Sequence, residues 1–167
     1  MKITKVLIII VILVILTGAG FLVFSVYSRL INTEYQFQVD AVLSAAAIAN
    51  EEDPLTTDPS KCVIAEYEGK RTVIVPGNYT ALSSWLRKDS AATLFSGPDK
   101  SKALKVTVCD EAVFYISPAK DSVDIAMIEL TTMGRTFRIH TKGGNQWTSL
   151  LACCTKGTYH DDNIPLN

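Results

Sequence analysis

The chain has 167 residues, with 16 Lys and Arg against 17 Asp and Glu, a formal net charge of −1, and 48% hydrophobic residues. That balance argues against a dedicated nucleic-acid binder, which needs a strongly basic domain. Roughly 140 residues lie beyond the first apolar run, enough for one domain and too few for two. Setting Lys2 and Lys5 aside leaves 14 basic residues against 17 acidic ones in that part, a charge of −3.

The first predicted element is the apolar run itself, residues 6–28, with no charged side chain between Lys5 and Arg29. About 20 apolar residues in a helix cover a hydrocarbon core roughly 30 Å thick, so the run is long enough to span a bilayer. Backbone amides cannot stay unpaired in lipid, so a transmembrane helix is predicted despite the β-branched residues and Gly18 and Gly20. Lys2 and Lys5, in the tail 1–5, stand against Arg29, Glu34 and Asp40 beyond the run. By the positive-inside rule the N-terminus is cytoplasmic and the rest extracytoplasmic. The competing reading is a signal peptide cut after Thr17-Gly18-Ala19, which gives a secreted protein but exposes the apolar stretch 21–27 at its new N-terminus.

Thr33 and Gln36 stand at capping-box spacing and predict the start of a juxtamembrane amphipathic helix within 29–53, with continuation of the membrane helix as a stalk as the alternative. Tyr35, Val39, Val42, Leu43, Ala46 and Ala49 form its apolar face, which either packs on the domain or meets a partner just above the membrane. Glu51-Glu52-Asp53-Pro54 and Asp58-Pro59 stop it, since each proline disfavours helical geometry before it.

An extracytoplasmic α+β domain is predicted over 60–155. Residues 62–67 and 71–75 read as strands joined by a turn at Glu68-Gly69-Lys70. Asn78 is placed to cap a helix that carries Leu82, Trp85 and Leu86 and reaches toward Leu94. Asn78-Tyr79-Thr80 is also a glycosylation sequon. From Lys102 the apolar period becomes two, and strands at 104–108, 112–116, 123–130 and 136–141 read as an antiparallel meander. Asn145 caps a last helix with Trp147, Leu150, Leu151 and Cys154 on one face, and 156–167 form a loose C-terminal tail. Strands and helices that are segregated rather than alternating predict an antiparallel sheet covered by helices.

The cysteines Cys62, Cys109, Cys153 and Cys154 lie in a compartment where disulfides persist if the domain is exported. A bond between the adjacent Cys153 and Cys154 is strained, so the expected bridge joins Cys62 or Cys109 to one of that pair, with buried thiols as the alternative. No Cys-X-X-Cys occurs and neither His140 nor His160 has a familiar ligand spacing from a cysteine, so no metal and no cofactor is expected. His160-Asp161-Asp162 gathers donors for a divalent ion, but in the tail.

Arg138 and His140, with Lys142 just beyond the last strand, share the face opposite Phe137 and Ile139. Such a stripe can hold a phosphate, an anionic polymer or a lipid headgroup; a solvated sheet face is the plain alternative. Cys109 with His140 is a conceivable nucleophile pair, and His140 with Glu129 or Asp124 a conceivable general base. No serine elbow, phosphate-cradling glycine loop or zinc helix accompanies them, so no enzyme is expected. The expected protein is single-pass, anchored in a lipid bilayer, and acts by binding or assembly with a membrane or envelope protein or a second copy of itself. An anchored module recognising an anionic ligand is the alternative, and an envelope enzyme comes third.

Overall fold

The structure, a computed structural model, describes residues 2–93, 96–157 and 162–166, with side chains from residue 12 onward. A single helix, α1 (Lys2–Ala49), runs through the apolar segment and the amphipathic segment without a break. At 1.5 Å per residue its 48 residues extend about 72 Å. The capping box expected at Thr33 is therefore not formed, because inside a continuous helix the amides there are bonded to the preceding turn. Thr33 instead donates its hydroxyl to the Arg29 carbonyl at 3.0 Å, and Gln36 Nε2 donates to Ser90 Oγ at 2.8 Å.

The two parts of α1 differ in surroundings. The first is long and apolar enough to cross a membrane and is largely exposed over its described side chains, with Phe21 71% and Val23 70% exposed. The second buries Tyr35, Val39, Leu43 and Ala46, spaced at four, four and three residues, against the domain. Ala49 falls outside this stripe and is exposed, whereas Asn50 is buried, its Nδ2 donating to the Ala46 carbonyl at 2.9 Å and to the Lys61 carbonyl.

The domain is an eight-stranded antiparallel sheet, in the order β3-β7-β6-β5-β4-β1-β2-β8. Its members are β1 (Val63–Tyr67), β2 (Lys70–Ile74), β3 (Ala91–Ala92), β4 (Leu104–Val108), β5 (Ala112–Ala119), β6 (Ser122–Thr132), β7 (Arg135–Lys142) and β8 (Ile164–Leu166). Alternation decides which side chains turn inward. On β4, Leu104, Val106 and Val108 are buried while Lys105 and Thr107 are only partly so. The inner face carries Val63, Ala65, Phe114, Ile116, Ile128, Leu130, Phe137 and Ile139, covered by the second part of α1, by α2 (Tyr79–Arg87) and by α3 (Gln146–Thr155). The β1–β2 and β6–β7 hairpins turn at Glu68-Gly69 and Met133-Gly134, and all four residues have positive φ (49°, 76°, 48° and 72°). Two such residues in succession give the turn whose twist matches that of the flanking strands.

Three local expectations are corrected. Helix α2 ends at Arg87 rather than near Leu94, which lies outside the described residues; after it β3 pairs with β7 at the sheet's far edge. Neither Asn78 nor Asn145 caps its helix through its side chain. At α3 the carboxylate of Asp124 takes that part, accepting from the Asn145 amide at 2.7 Å. The tail returns to the sheet: β8 pairs with β2, and Ile164 and Leu166 pack on Cys62, Ile64 and Val73 in a small second core on the outer face.

α1 is tied to α2 by more than apolar contact. Buried Tyr35 donates its hydroxyl to the Leu86 carbonyl at 2.8 Å, which occupies one of the carbonyls a helix end leaves open. Asp40 accepts from Ser83 Oγ at 2.8 Å and from Arg87 Nη1 at 2.6 Å, and Glu34 forms a two-point ion pair with Arg135 on β7. The domain is thus fixed to the helix by three polar side chains within residues 34–40.

Candidate functional site

β7 puts Phe137, Ile139 and Thr141 inward and Arg138, His140 and Lys142 on the outer face, so the three predicted site residues do share a face. They do not form a stripe of unpaired cations. The two-residue turn at Met133-Gly134 folds Thr132 onto Arg135 and so sets Glu129 directly opposite Arg138. Glu129 has a side chain only 8% exposed; it accepts from Arg138 Nε at 3.0 Å and is paired with Lys100 Nζ at 2.7 Å. Burial raises the Glu129 pKa, but the hydrogen bonds and charges of Lys100 and Arg138 outweigh it, and the carboxyl is held below its ordinary value. It is therefore ionised beside them at neutral pH.

The pairing extends across the sheet. Successive registers place Arg71, Glu66, Lys105, Tyr115, Glu129 and Arg138 in one row over six strands, from β2 to β7. Glu66 bonds to Arg71 at 3.1 Å and to Lys105 at 3.2 Å, and Lys100 lies 4.8 Å from the centre of the Tyr115 ring. Opposite charges facing one another across neighbouring strands stabilise the sheet by a few tenths of a kcal/mol each, about 0.2–1. The row is a belt of alternating sign rather than a basic patch.

Arg138 also lines the cleft where the sheet meets α1. Phe24, Tyr27, Ser28 and Ile31 form one wall of this space of about 330 Å³, and Thr93, Glu129, Thr136 and Arg138 the other. An apolar wall faces hydroxyl groups and an ion pair. The cleft lies beside the last turn of the apolar segment.

The other predicted chemistry is not assembled. His140 is half-buried, opposite Met127 on β6 and Ala91 on β3. Cys109 follows β4, three strands from β7, which at ~4.8 Å per step separates it from His140 by at least roughly 14 Å across the sheet. A proton cannot pass directly between them. Both carboxylates proposed to partner His140 are engaged elsewhere, Glu129 by two cations and Asp124 by Asn145. His160 and Asp161 lie outside the described residues, and among the described residues no group of three His, Cys, Asp or Glu is placed to hold a metal. The sequon asparagine, Asn78, is 1% exposed and donates to Asn163 Oδ1 at 2.9 Å, so it is closed to a glycosyltransferase in the folded protein.

All four cysteines are thiols in this structure, three of them buried, which is the alternative expected from the sequence and not the bridge to the vicinal pair. Cys153 and Cys154 lie on α3 in the main core, whereas Cys62 belongs to the small outer core under β8. A bridge from Cys62 to the vicinal pair would have to join two separate cores. The residue facing Cys62 is Cys109: one step beyond the Val63–Val108 pair, the Cys109 amide donates to the Cys62 carbonyl at 3.0 Å.

Two features are absent from the sequence reading. One is Asn163, whose buried side chain accepts from Val75 N (3.3 Å) and Asn78 Nδ2 (2.9 Å) and donates to the carbonyls of Cys153 (2.8 Å) and Cys154 (3.1 Å). The other is the outer side of α1. Val23, Leu30, Phe37 and Ile48, spaced at seven, seven and eleven residues, fall on one line, and Leu30, Phe37 and Ile48 are 64–68% exposed. Comparison of the chain with protein-family models, curated proteins and solved structures finds no match.

Proposed function

We propose that the protein is a single-pass membrane protein, N-terminus in the cytoplasm and domain outside, that acts as a binding or assembly component of an envelope complex. The observation that carries this reading is the exposed apolar line on α1. Val23 and Leu30 flank the end of the apolar segment, and the same line continues through Phe37 and Ile48 alongside the domain. Burying an apolar side chain is worth about 1.5–3 kcal/mol, so a partner helix gains from covering both Phe37 and Ile48. Both partners are confined to one bilayer, which raises their effective concentration. Retention of the apolar segment is favoured over cleavage, since a cut after Ala19 leaves Phe21, Leu22 and Val23, each at least 67% exposed, at a new terminus.

Protease protection of the tagged full chain in intact cells, combined with crosslinking, tests the reading. The expected result is digestion of the domain from outside and a crosslinked membrane protein or second copy that is lost in a Phe37→Lys, Ile48→Lys double variant. A domain protected from outside refutes the orientation, and an unchanged crosslinking pattern in the double variant refutes the surface.

A second reading, recognition of an anionic ligand, has its support in the cleft beside Phe24 and Tyr27. Arg138 lines the cleft, its partner Glu129 is also bound by Lys100 from outside the lining, and the apolar wall suits a lipid whose phosphate reaches Arg138. Co-sedimentation with vesicles containing anionic lipid is expected to weaken in Arg138→Gln and to be unaffected by the Phe37 and Ile48 substitutions.

A further inference from the structure

We infer that Cys62 and Cys109 are a matched dithiol that closes into a disulfide across β1 and β4 once the domain is exported; this compartment rests on the orientation proposed above. Strand register brings the two together. β1 and β4 are antiparallel with Val63 opposite Val108, and the next step outward sets Cys62 opposite Cys109, with the Cys109 amide bonded to the Cys62 carbonyl at 3.0 Å. One backbone bond joins the pair, the Cys62 amide going to the Asp58 carbonyl at 3.1 Å, and directly opposed antiparallel residues have Cα atoms about 4.5–5.5 Å apart, inside the roughly 4.4–6.8 Å range that disulfides use. Cys62 lies with Ile64 in the outer core, whereas Cys109, at φ 50° in the turn after β4, packs against the main core, so the pair stands at the end of the β1–β4 ladder between the two cores.

The surroundings also separate Cys62 from the other two thiols. Cys62 is buried with Ile64 and Val73 beneath Ile164 of β8, while Cys109 is half-buried at the turn that begins β5. Burial and the neighbouring Cys109 sulfur push the Cys62 thiol up to about 11, and burial with Glu111 and Asp110 raises that of Cys109. Cys154 is fully buried on α3 and its sulfur neighbour is Cys153.

Accessibility orders the chemistry. The more exposed Cys109, as thiolate, attacks one sulfur of an oxidised thiol compound R–S–S–R, forming a mixed disulfide and releasing RS⁻. Cys62, as thiolate, then attacks Cys109 Sγ, forming the Cys62–Cys109 bond and releasing the second RS⁻. The two protons lost by the cysteines leave with the two RSH products, and the two electrons reduce the oxidant's disulfide. With both thiols above their usual range, closure accelerates as pH rises from 7 to 9.

The test uses the reduced full-length protein in detergent with oxidised glutathione as the probe, alkylation of remaining thiols, and tryptic mass spectrometry. Trypsin releases Cys62 in peptide 62–70, Cys109 in 106–120, and Cys153 with Cys154 in 143–156. The expected product is 62–70 joined to 106–120 and two hydrogens lighter than their sum, with 143–156 doubly alkylated. Cys62 or Cys109 joined to 143–156, or glutathione left on Cys109 beside an alkylated Cys62, overturns the pairing. Acid quenching of whole cells before alkylation then separates the two layers of the inference. The same linked peptide supports both, whereas a pair that closes with glutathione but is reduced in cells keeps the pairing and overturns the oxidising, exported location.

Discussion

Asn163→Ala is the substitution with the largest expected effect for its size. The side chain forms four hydrogen bonds with groups from three elements: the end of β2, the turn before α2, and the last turn of α3. Truncation leaves the Val75 amide and the Cys153 and Cys154 carbonyls with fewer partners in a site that is 7% exposed. Each net hydrogen bond is worth about 1 kcal/mol, and each buried group left unpaired costs about 1–3, so the expected loss is about 3–4 kcal/mol. At about 3–4 °C per kcal/mol for a domain of this size, the melting temperature falls by roughly 10–15 °C. The assay is thermal unfolding of the full chain in detergent, followed by near-ultraviolet circular dichroism, which reports the packing of Trp85 and Trp147. Hydrogen exchange adds location: the amides of β8 and β2 lose protection before those of β5 and β6. A shift under 3 °C, or uniform loss of protection, refutes the view that this side chain holds the C-terminal strand and α3 together.

Tyr35→Phe removes the hydroxyl that bonds the Leu86 carbonyl, and destabilises by about 1–2 kcal/mol in chemical denaturation without altering the α1 packing surface. Acid titration shows a loss of stability below about pH 4.5, because the Glu129 carboxyl is held below its ordinary value of 4.5: its contribution is complete above that pH and disappears as pH falls through the lower folded value. Glu129→Gln flattens this part of the profile. At the alkaline end, burial holds the phenols of Tyr35 and Tyr79 far above their ordinary value of 10, and the Cys62 thiol at about 11 against 9. In the reduced protein these groups ionise first in the unfolded chain, so stability is intact below pH 9 and declines above it, and Tyr35→Phe makes the decline shallower.

Much of the arrangement follows from local rules. The change of apolar period at Leu104 marks the start of the meander, and the turn dipeptides Glu68-Gly69 and Met133-Gly134 fix the pairs they close. Once the second turn is placed, Glu129 must face Arg138 three residues back from each side of it, so the pairing of Arg138 was legible in principle from the turn alone. The β1–β4 register has no such local marker. Between those strands the chain passes through β2, α2 and β3, which lies at the opposite edge of the sheet, before β4 returns beside β1. Only tertiary packing brings Cys62 to Cys109, and for the same reason β8 and Asn163 resemble a loose tail until Ile64 and Val73 are seen to need a cover.

The continuity of α1 carries a mechanical consequence. A break near Asn32 would let a domain swivel on its tether, whereas an unbroken helix with Tyr35, Asp40 and Glu34 bonded to the domain transmits its own tilt and rotation to the sheet. The line of Val23, Leu30, Phe37 and Ile48 then keeps one orientation relative to the cleft and to the charged belt. A partner helix that packs along that line meets the domain in a single pose. In the proposed function, this fixed geometry is what lets a short anchored protein with 16 basic and 17 acidic residues select a partner by shape and apolar contact rather than by net charge.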